Sequence, residues 1–270
     1  MKYPRVSFET PEQTDAVYDH YENYLPPQRR TQMAYAAFRL AFNPDTYFSG
    51  NAEQEFAEFA ENDTPQLFVF NHLTPWADQF NASSFALNEV YDDVGKTRVL
   101  AKDTLFRSKF IPRTFFEVMC AIPVPRRKNY VSEHDDAATQ ARMHEMLDYA
   151  QEKLHDTNIN VLAKGQNLAS FIEKSHNRGD PTKLQSISSS FADIAIKAAV
   201  LRESEIPVTP VGFAMGESHN HLRRNPFSTV AVVSESIIVT PESTVDGIVA
   251  ATEHNLQEAV TAATLIRRHR

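Results

Sequence analysis

The stretch FNHLTPWADQF, residues 70–80, sets a histidine at the end of an apolar run and an aspartate six positions after it. A neutral imidazole can take a hydroxyl proton as that oxygen attacks a carbonyl. It does so efficiently when a carboxylate on its other nitrogen fixes the tautomer and stabilises the imidazolium. His72 and Asp78 are therefore a candidate general base and its orienting carboxylate. Turn chemistry competes for both residues, because Asp is a favoured helix N-cap and Asp78 opens the helical pattern DQFNASSFALNEV. A second chemical feature is cationic. Residues 96–130 carry nine Lys and Arg (Lys96, Arg98, Lys102, Arg107, Lys109, Arg113, Arg126, Arg127, Lys128) against Asp103 and Glu117, in a chain of net charge −8. Such a region suits an anionic ligand or surface, or is a solvated face. The pair His219-x-His221 could offer two imidazoles to a metal, but metal sites use three or four ligands and no third is nearby in sequence. No metal is expected.

These residues must be positioned by a scaffold, and the chain supplies one from residue 66 onward. Short apolar runs (QLFVFN, TRVLAK, CAIPVP, NINVLA, IPVTPVGF, TVAVVSES) alternate with helical segments near 78–91, 103–118, 134–155, 186–202 and 241–265. Strands alternating with helices indicate an α/β fold: a mixed, largely parallel sheet flanked by helices. The segments PEQTDAVYDHYENYL, RRTQMAYAAFRLAF and NAEQEFAEFAEN read as helices split by Pro26-Pro27 and Asn43-Pro44, with no strand pattern among them. Residues 1–62 are thus expected to form an N-terminal helical appendage to an α/β domain over 63–270. In open α/β sheets ligands collect at the carboxyl ends of strands. Asn71-His72 follows the first run, Lys102 the second, Arg126 the third and Lys164-Gly165 the fourth, so these residues are expected to converge on one crevice.

Four blocks in this order resemble the glycerolipid acyltransferases, the family of glycerol-3-phosphate and lysophosphatidic acid acyltransferases. NHLTPWAD is similar to the family's Asn-His-x-x-x-x-Asp, with five residues between His72 and Asp78 instead of four, so a bulge at Pro75-Trp76 is expected. AKDTLFRSKFIPRTFFEVMCAIPVPRRK is similar to its run from Ala-Lys and Leu-Phe to Ile-Pro-Val and arginine. VLAKGQN is placed at its Phe-Pro-Glu-Gly-Thr-Arg motif, with Lys164 at the glutamate position, Gly165 kept and Asn167 at the arginine position. IPVTPVGF is similar to its last, proline-containing strand, where Pro210 is expected to shape the strand end. The resemblance implies transfer of an acyl chain from acyl-CoA or acyl carrier protein to the hydroxyl of an anionic glycerolipid acceptor. His72 would be the base and Asp78 its orienter, with no metal and no covalent intermediate. It also implies a phosphate-binding role for Arg126, with Arg127, Lys102, Lys164 and Gly165 as further substrate-binding candidates. The alternative is a non-catalytic acyl- or lipid-binding descendant of the same fold.

Composition narrows the remaining choices. The net negative charge disfavours general nucleic-acid binding, and Cys120 is the only cysteine, so no intrachain disulfide or thiolate cluster can form. No Gly-x-Ser-x-Gly elbow or Gly-rich phosphate loop occurs. The N-terminal sequence lacks a signal-peptide core and no run reaches the roughly 20 apolar residues of a membrane span, so a cytoplasmic protein is expected, with room for peripheral membrane contact. For the latter, residues 31–42 form an amphipathic segment with Met33, Ala37, Leu40 and Ala41 near one face and Phe38 and Phe42 beside it. Such a helix faces either a core or a bilayer surface.

Overall fold

A computed structural model of the chain describes residues 4–40, 42–74, 77–89, 95–107, 113–132, 134, 136–173, 177, 179–217 and 224–269. The elements run α1 (Pro11–Asn23), α2 (Gln28–Arg39), β1 (Asp45–Phe48), α3 (Ala52–Glu61), β2 (Leu67–Phe70), α4 (Ala77–Glu89), β3 (Thr97–Lys102), α5 (Asp103–Phe106), α6 (Arg113–Val118), β4 (Ala121–Val124), α7 (Ala137–Ala163), β5 (Asn167–Phe171), α8 (Ser190–Arg202), β6 (Ile206–Glu217), β7 (Arg224–Val233), β8 (Ile237–Val239) and α9 (Val245–Arg268). The architecture is α/β with a mostly parallel mixed sheet flanked by helices. Strand order is β1-β7-β6-β2-β5-β3-β4, and β8 pairs with β6. Strands β2 to β6 are mutually parallel, whereas β7 and β8 run antiparallel to β6.

The side-chain alternation of β2 explains how the two helical layers attach. Phe68 and Phe70 face a core with Tyr35 of α2, Phe56 of α3, and Ala82 and Phe85 of α4. Leu67 and Val69 face the opposite layer, with Ile159 and Leu162 of α7, Phe191 and Ala195 of α8, and Leu256 of α9. Because successive strand residues point to opposite faces, a fully buried β2 needs apolar residues at every position, and LFVF supplies them. The chain therefore leaves β2 toward α4 on one face, whereas it leaves the neighbouring β5 toward α8 on the other. That divergence is a topological switch point, where open α/β sheets form a crevice beyond their strand ends.

Three expectations need correction. The run NINVLA is not a strand: α7 continues through it to Ala163, and Leu154, Asn158, Val161 and Leu162 make one buried helical face. Gly165, at φ +82°, ends that helix, its N–H bonding to Leu162 O and that of Gln166 to Val161 O. This is the paired arrangement in which glycine relieves the left-handed conformation at a helix end. The fourth parallel strand is instead β5, NLASF. Second, the N-terminal region contains a strand, since β1 pairs in parallel with β7. It escaped notice because it is a short edge strand without a fully buried face. The helices expected there are present, with α1 packed on α7 and α2 on α4. Third, the helix expected over 103–118 is divided between α5 and α6.

Pro210 sits inside β6, a position from which proline is usually excluded because it lacks an N–H. Its carbonyl accepts the Ser234 N–H, so its missing donor points to the same side. That side is where β6 changes partner, from β8 at 206–208 to β7 at 211–217. No ladder bond is lost there, which accounts for the proline.

Candidate active site

The switch point between β2 and β5 is closed by residues that the strands carry to their carboxyl ends. Asn71, directly after β2, locks to the next strand in both directions: its Nδ2 donates to Phe213 O at 3.0 Å and its Oδ1 accepts the Phe213 N–H at 2.7 Å. His72 follows, and its backbone is held on both sides. Its N–H donates to Glu173 Oε2 at 2.5 Å, and its carbonyl accepts the Asn177 N–H at 2.6 Å. The imidazole lies against the Phe171 ring, with centroids 5.2 Å apart, and the residue is only 6% exposed.

Nδ1 of His72 is 2.7 Å from Asp78 Oδ2. The same oxygen accepts the backbone N–H groups of Leu73 at 2.6 Å and Thr74 at 2.9 Å, while Oδ1 accepts the Thr74 hydroxyl at 2.8 Å. Asp78 is fully buried. The Thr74 hydroxyl in turn accepts the Asp78 N–H at 3.2 Å, serving an amide in the first turn of α4 and leaving the carboxylate turned back toward the loop. A carboxylate is acceptor-only when ionised, so the bond puts the imidazole proton on Nδ1 and a lone pair on Nε2. This is the protonation pattern that a general base requires. The expected bulge at Pro75-Trp76 and the pair His219 and His221 lie outside the described residues, which contain no group of three or more metal-ligating side chains.

Among the described residues the cations of 96–130 do not act as one cluster; Lys109 and the Lys128 side chain lie outside them. Arg98 is fully buried, its Nε 2.8 Å from Gln166 Oε1 and its other end on Tyr24 O. Arg113 pairs with Glu117, Lys96 with Asp63, and Arg127 with Asp148 on α7. Lys102, the last residue of β3, and Arg126, two residues after β4, lie at the carboxyl edge. Arg126 is half-buried, and burial lowers its pKa from the ordinary arginine value although the nearby Asp103 opposes the shift. Asp103, fully buried, collects Arg107 Nη2 at 2.5 Å, Tyr130 Oη at 2.6 Å and Asn129 Nδ2 at 3.2 Å, bracing the turn that follows Arg126. β4 stands three places from β2, about 14 Å at ordinary strand spacing.

Lys164 and Gly165 are not brought to this edge. They sit at the amino end of β5, roughly 16 Å from its other end, where Lys164 Nζ pairs with Glu22 Oε1 at 2.7 Å and Asn23 Oδ1 at 3.0 Å. They are corrected from substrate-binding candidates to a helix end and its tether. In their place stands Glu173, which sequence reasoning missed. Its second oxygen accepts the Gln185 N–H at 2.6 Å. The signal was present in Phe171-Ile172-Glu173, an acid after an aromatic strand end, but the misplaced strand concealed it. No model of a known protein family matches the chain, and no curated protein does at a significant level.

Proposed function

We propose that the chain is an O-acyltransferase, moving a fatty acyl group from acyl-CoA or acyl carrier protein to the hydroxyl of a glycerol-phosphate or lysophospholipid type of acceptor. The observation that carries this reading is the 2.7 Å bond from His72 Nδ1 to a buried Asp78 carboxylate. In the reaction the acceptor O–H bond breaks toward Nε2 as the oxygen bonds to the thioester carbonyl carbon. Collapse of the tetrahedral adduct breaks the C–S bond, and the imidazolium returns its proton to the departing thiolate. Asp78 stabilises the transient imidazolium.

VLAKGQN closes a helix on the far edge, whereas Phe171-Ile172-Glu173 ends β5 beside His72 and supplies the acidic residue of this edge. The role of Glu173 in this reading is to hold the His72 backbone. Arg126, with Lys102, is the proposed phosphate-binding side of the crevice, since guanidinium donors match phosphate geometry. A cytoplasmic site of action follows from the proposed donors. The rival reading, a binding module without turnover, needs an Asp78 carboxylate turned from the ring, and the bond to Nδ1 weighs against it.

The test is incubation of purified protein with labelled acyl-CoA and acyl carrier protein against glycerol phosphate, lysophosphatidate and unphosphorylated alcohols. Transfer to a phosphorylated acceptor that is lost in His72→Ala is expected. Absence of transfer from either donor to every acceptor would overturn the reading.

A further inference from the structure

Helix α2 packs on the body of the protein through one face and turns a different apolar face to solvent. Thr31 and Tyr35 are fully buried, and the Tyr35 hydroxyl donates to Met119 O at 2.9 Å. That anchor fixes the rotation of the helix. Arg29, Met33, Ala36, Ala37 and Leu40 follow at i, i+4, i+7, i+8 and i+11, the spacing of a single helical face, and all five are exposed. Met33 is 74% and Leu40 92% exposed, and Leu25, just before the helix, is 46% exposed. Single exposed apolar residues are ordinary, but a row of them along one helix face is a recognition feature.

The charge around this row selects its occupant. Residues 25–44 hold Arg29, Arg30 and Arg39 and no acid, in a chain with 35 acidic and 27 basic residues, and Glu89 at the end of α4 lies within electrostatic reach of Arg39 alone among the three. By helical rotation Arg30 and Arg39 fall on opposite sides of the apolar row, and both are exposed. An apolar stripe flanked by long basic side chains is the pattern of a helix lying in a membrane interface, where the stems cover apolar surface and the charges reach anionic headgroups. The row also ends near the candidate site: Phe42, two residues beyond Leu40, lies against Phe80, with centroids 5.0 Å apart, and Phe80 is two residues beyond Asp78 on α4.

We propose that the outer face of α2 docks the protein onto a bilayer surface containing anionic lipid, lying flat and presenting the His72–Asp78 edge beside the headgroups. The inference does not depend on the transferase reading, because docking is measured without turnover.

The experiment is co-sedimentation of the full chain with vesicles of phosphatidylcholine alone or mixed with phosphatidylglycerol. Wild type should bind the mixed vesicles at low salt, bind them less at high salt, and bind pure phosphatidylcholine weakly. Met33→Glu combined with Leu40→Glu should reduce binding roughly tenfold or more while leaving the melting temperature nearly unchanged, since both side chains are solvated. Arg29→Glu with Arg30→Glu should remove the dependence on anionic lipid. Val200→Glu with Leu201→Glu, exposed apolar residues on α8, should leave binding intact. The proposal is overturned if wild type does not sediment with the mixed vesicles at low salt, or if the Met33/Leu40 variant sediments as wild type does. It is equally overturned if light scattering shows a dimer that the same substitutions dissociate, which would assign the face to a second copy of this chain.

Discussion

The Glu173 carboxylate accepts the backbone N–H of His72 across 101 positions of sequence, so the end of β5 sets where the end of β2 can hold its imidazole. The same carboxylate accepts the Gln185 N–H through its other oxygen. A glutamine at 173 can accept only one of these two N–H groups and turns its own NH2 toward the other. Glu173→Gln is expected to cost about 1–3 kcal/mol of stability. By displacing His72 it should also lower kcat by up to about 10²-fold. Turnover measured well below the melting temperature separates the two effects. A normal rate in a destabilised Glu173→Gln protein would reduce Glu173 to a structural brace.

His72→Ala should lower transfer by about 10²–10⁴-fold, the usual contribution of a positioned base. Because the ring is buried and bonded to Asp78, it should also cost about 1–3 kcal/mol of stability, so turnover is compared well below the melting temperature. Asp78 separates charge from geometry. In Asp78→Asn the amide oxygen can keep the bonds from His72, Leu73 and Thr74, so stability should fall by only about 1 kcal/mol. The negative charge facing the imidazolium is lost, however, and the rate should fall by orders of magnitude. Asp78→Ala removes an acceptor from two backbone N–H groups, those of Leu73 and Thr74, and should also melt earlier. If Asp78→Asn turns over normally, the bond is architectural and the proposed mechanism fails.

Arg126 is the phosphate-binding candidate of the sequence and Lys164 a further one, and the structure sets them at opposite ends of the strands. Arg126→Ala should raise the KM for a phosphorylated acceptor strongly, with a smaller effect on an unphosphorylated one. Lys164→Ala should leave both unchanged and cost at most about 1 kcal/mol, the worth of an exposed ion pair with Glu22. Steady-state kinetics on the two variants decides the phosphate assignment. An unaltered KM in Arg126→Ala would sink it.

Stability should fall with acid through Glu117. Burial pushes its carboxyl pKa up, but hydrogen bonds from His20 and Tyr21 and the ion pair with Arg113 outweigh burial and hold it below the ordinary glutamate value. A carboxyl depressed in the folded state binds protons more readily when unfolded. Its stabilising contribution is therefore complete above the ordinary glutamate value and disappears as pH falls below it. Glu117→Gln should melt earlier than wild type at neutral pH, with the gap narrowing as pH drops through the acid range. A gap independent of pH would place the effect in packing instead of charge.

His72 and Asp78 were legible in sequence because their relationship is local: six positions span one strand end and the first turn of the next helix. The alternation of apolar runs with helical segments likewise announced an α/β fold, since burial on both faces leaves a continuous apolar signature. NINVLA misled for the same reason. A short apolar run satisfies a buried strand and a buried helix end equally, and length with flanking residues must arbitrate. Gly165 marks the helix end that would have decided it.

What the sequence by itself determined was the chemistry available: one histidine with a carboxylate at turn distance, a run of cations, and an amphipathic α2. Tertiary structure decided which of these act together, because parallel strands pair residues that local pattern cannot relate. It placed Glu173 under His72 through the β2–β5 pairing, dispersed Arg98, Arg113 and Arg127 into separate partnerships, and moved Lys164 to the opposite edge. It also chose the outward side of α2, since the buried Tyr35 consumes one face of the helix and leaves Met33 and Leu40 to solvent.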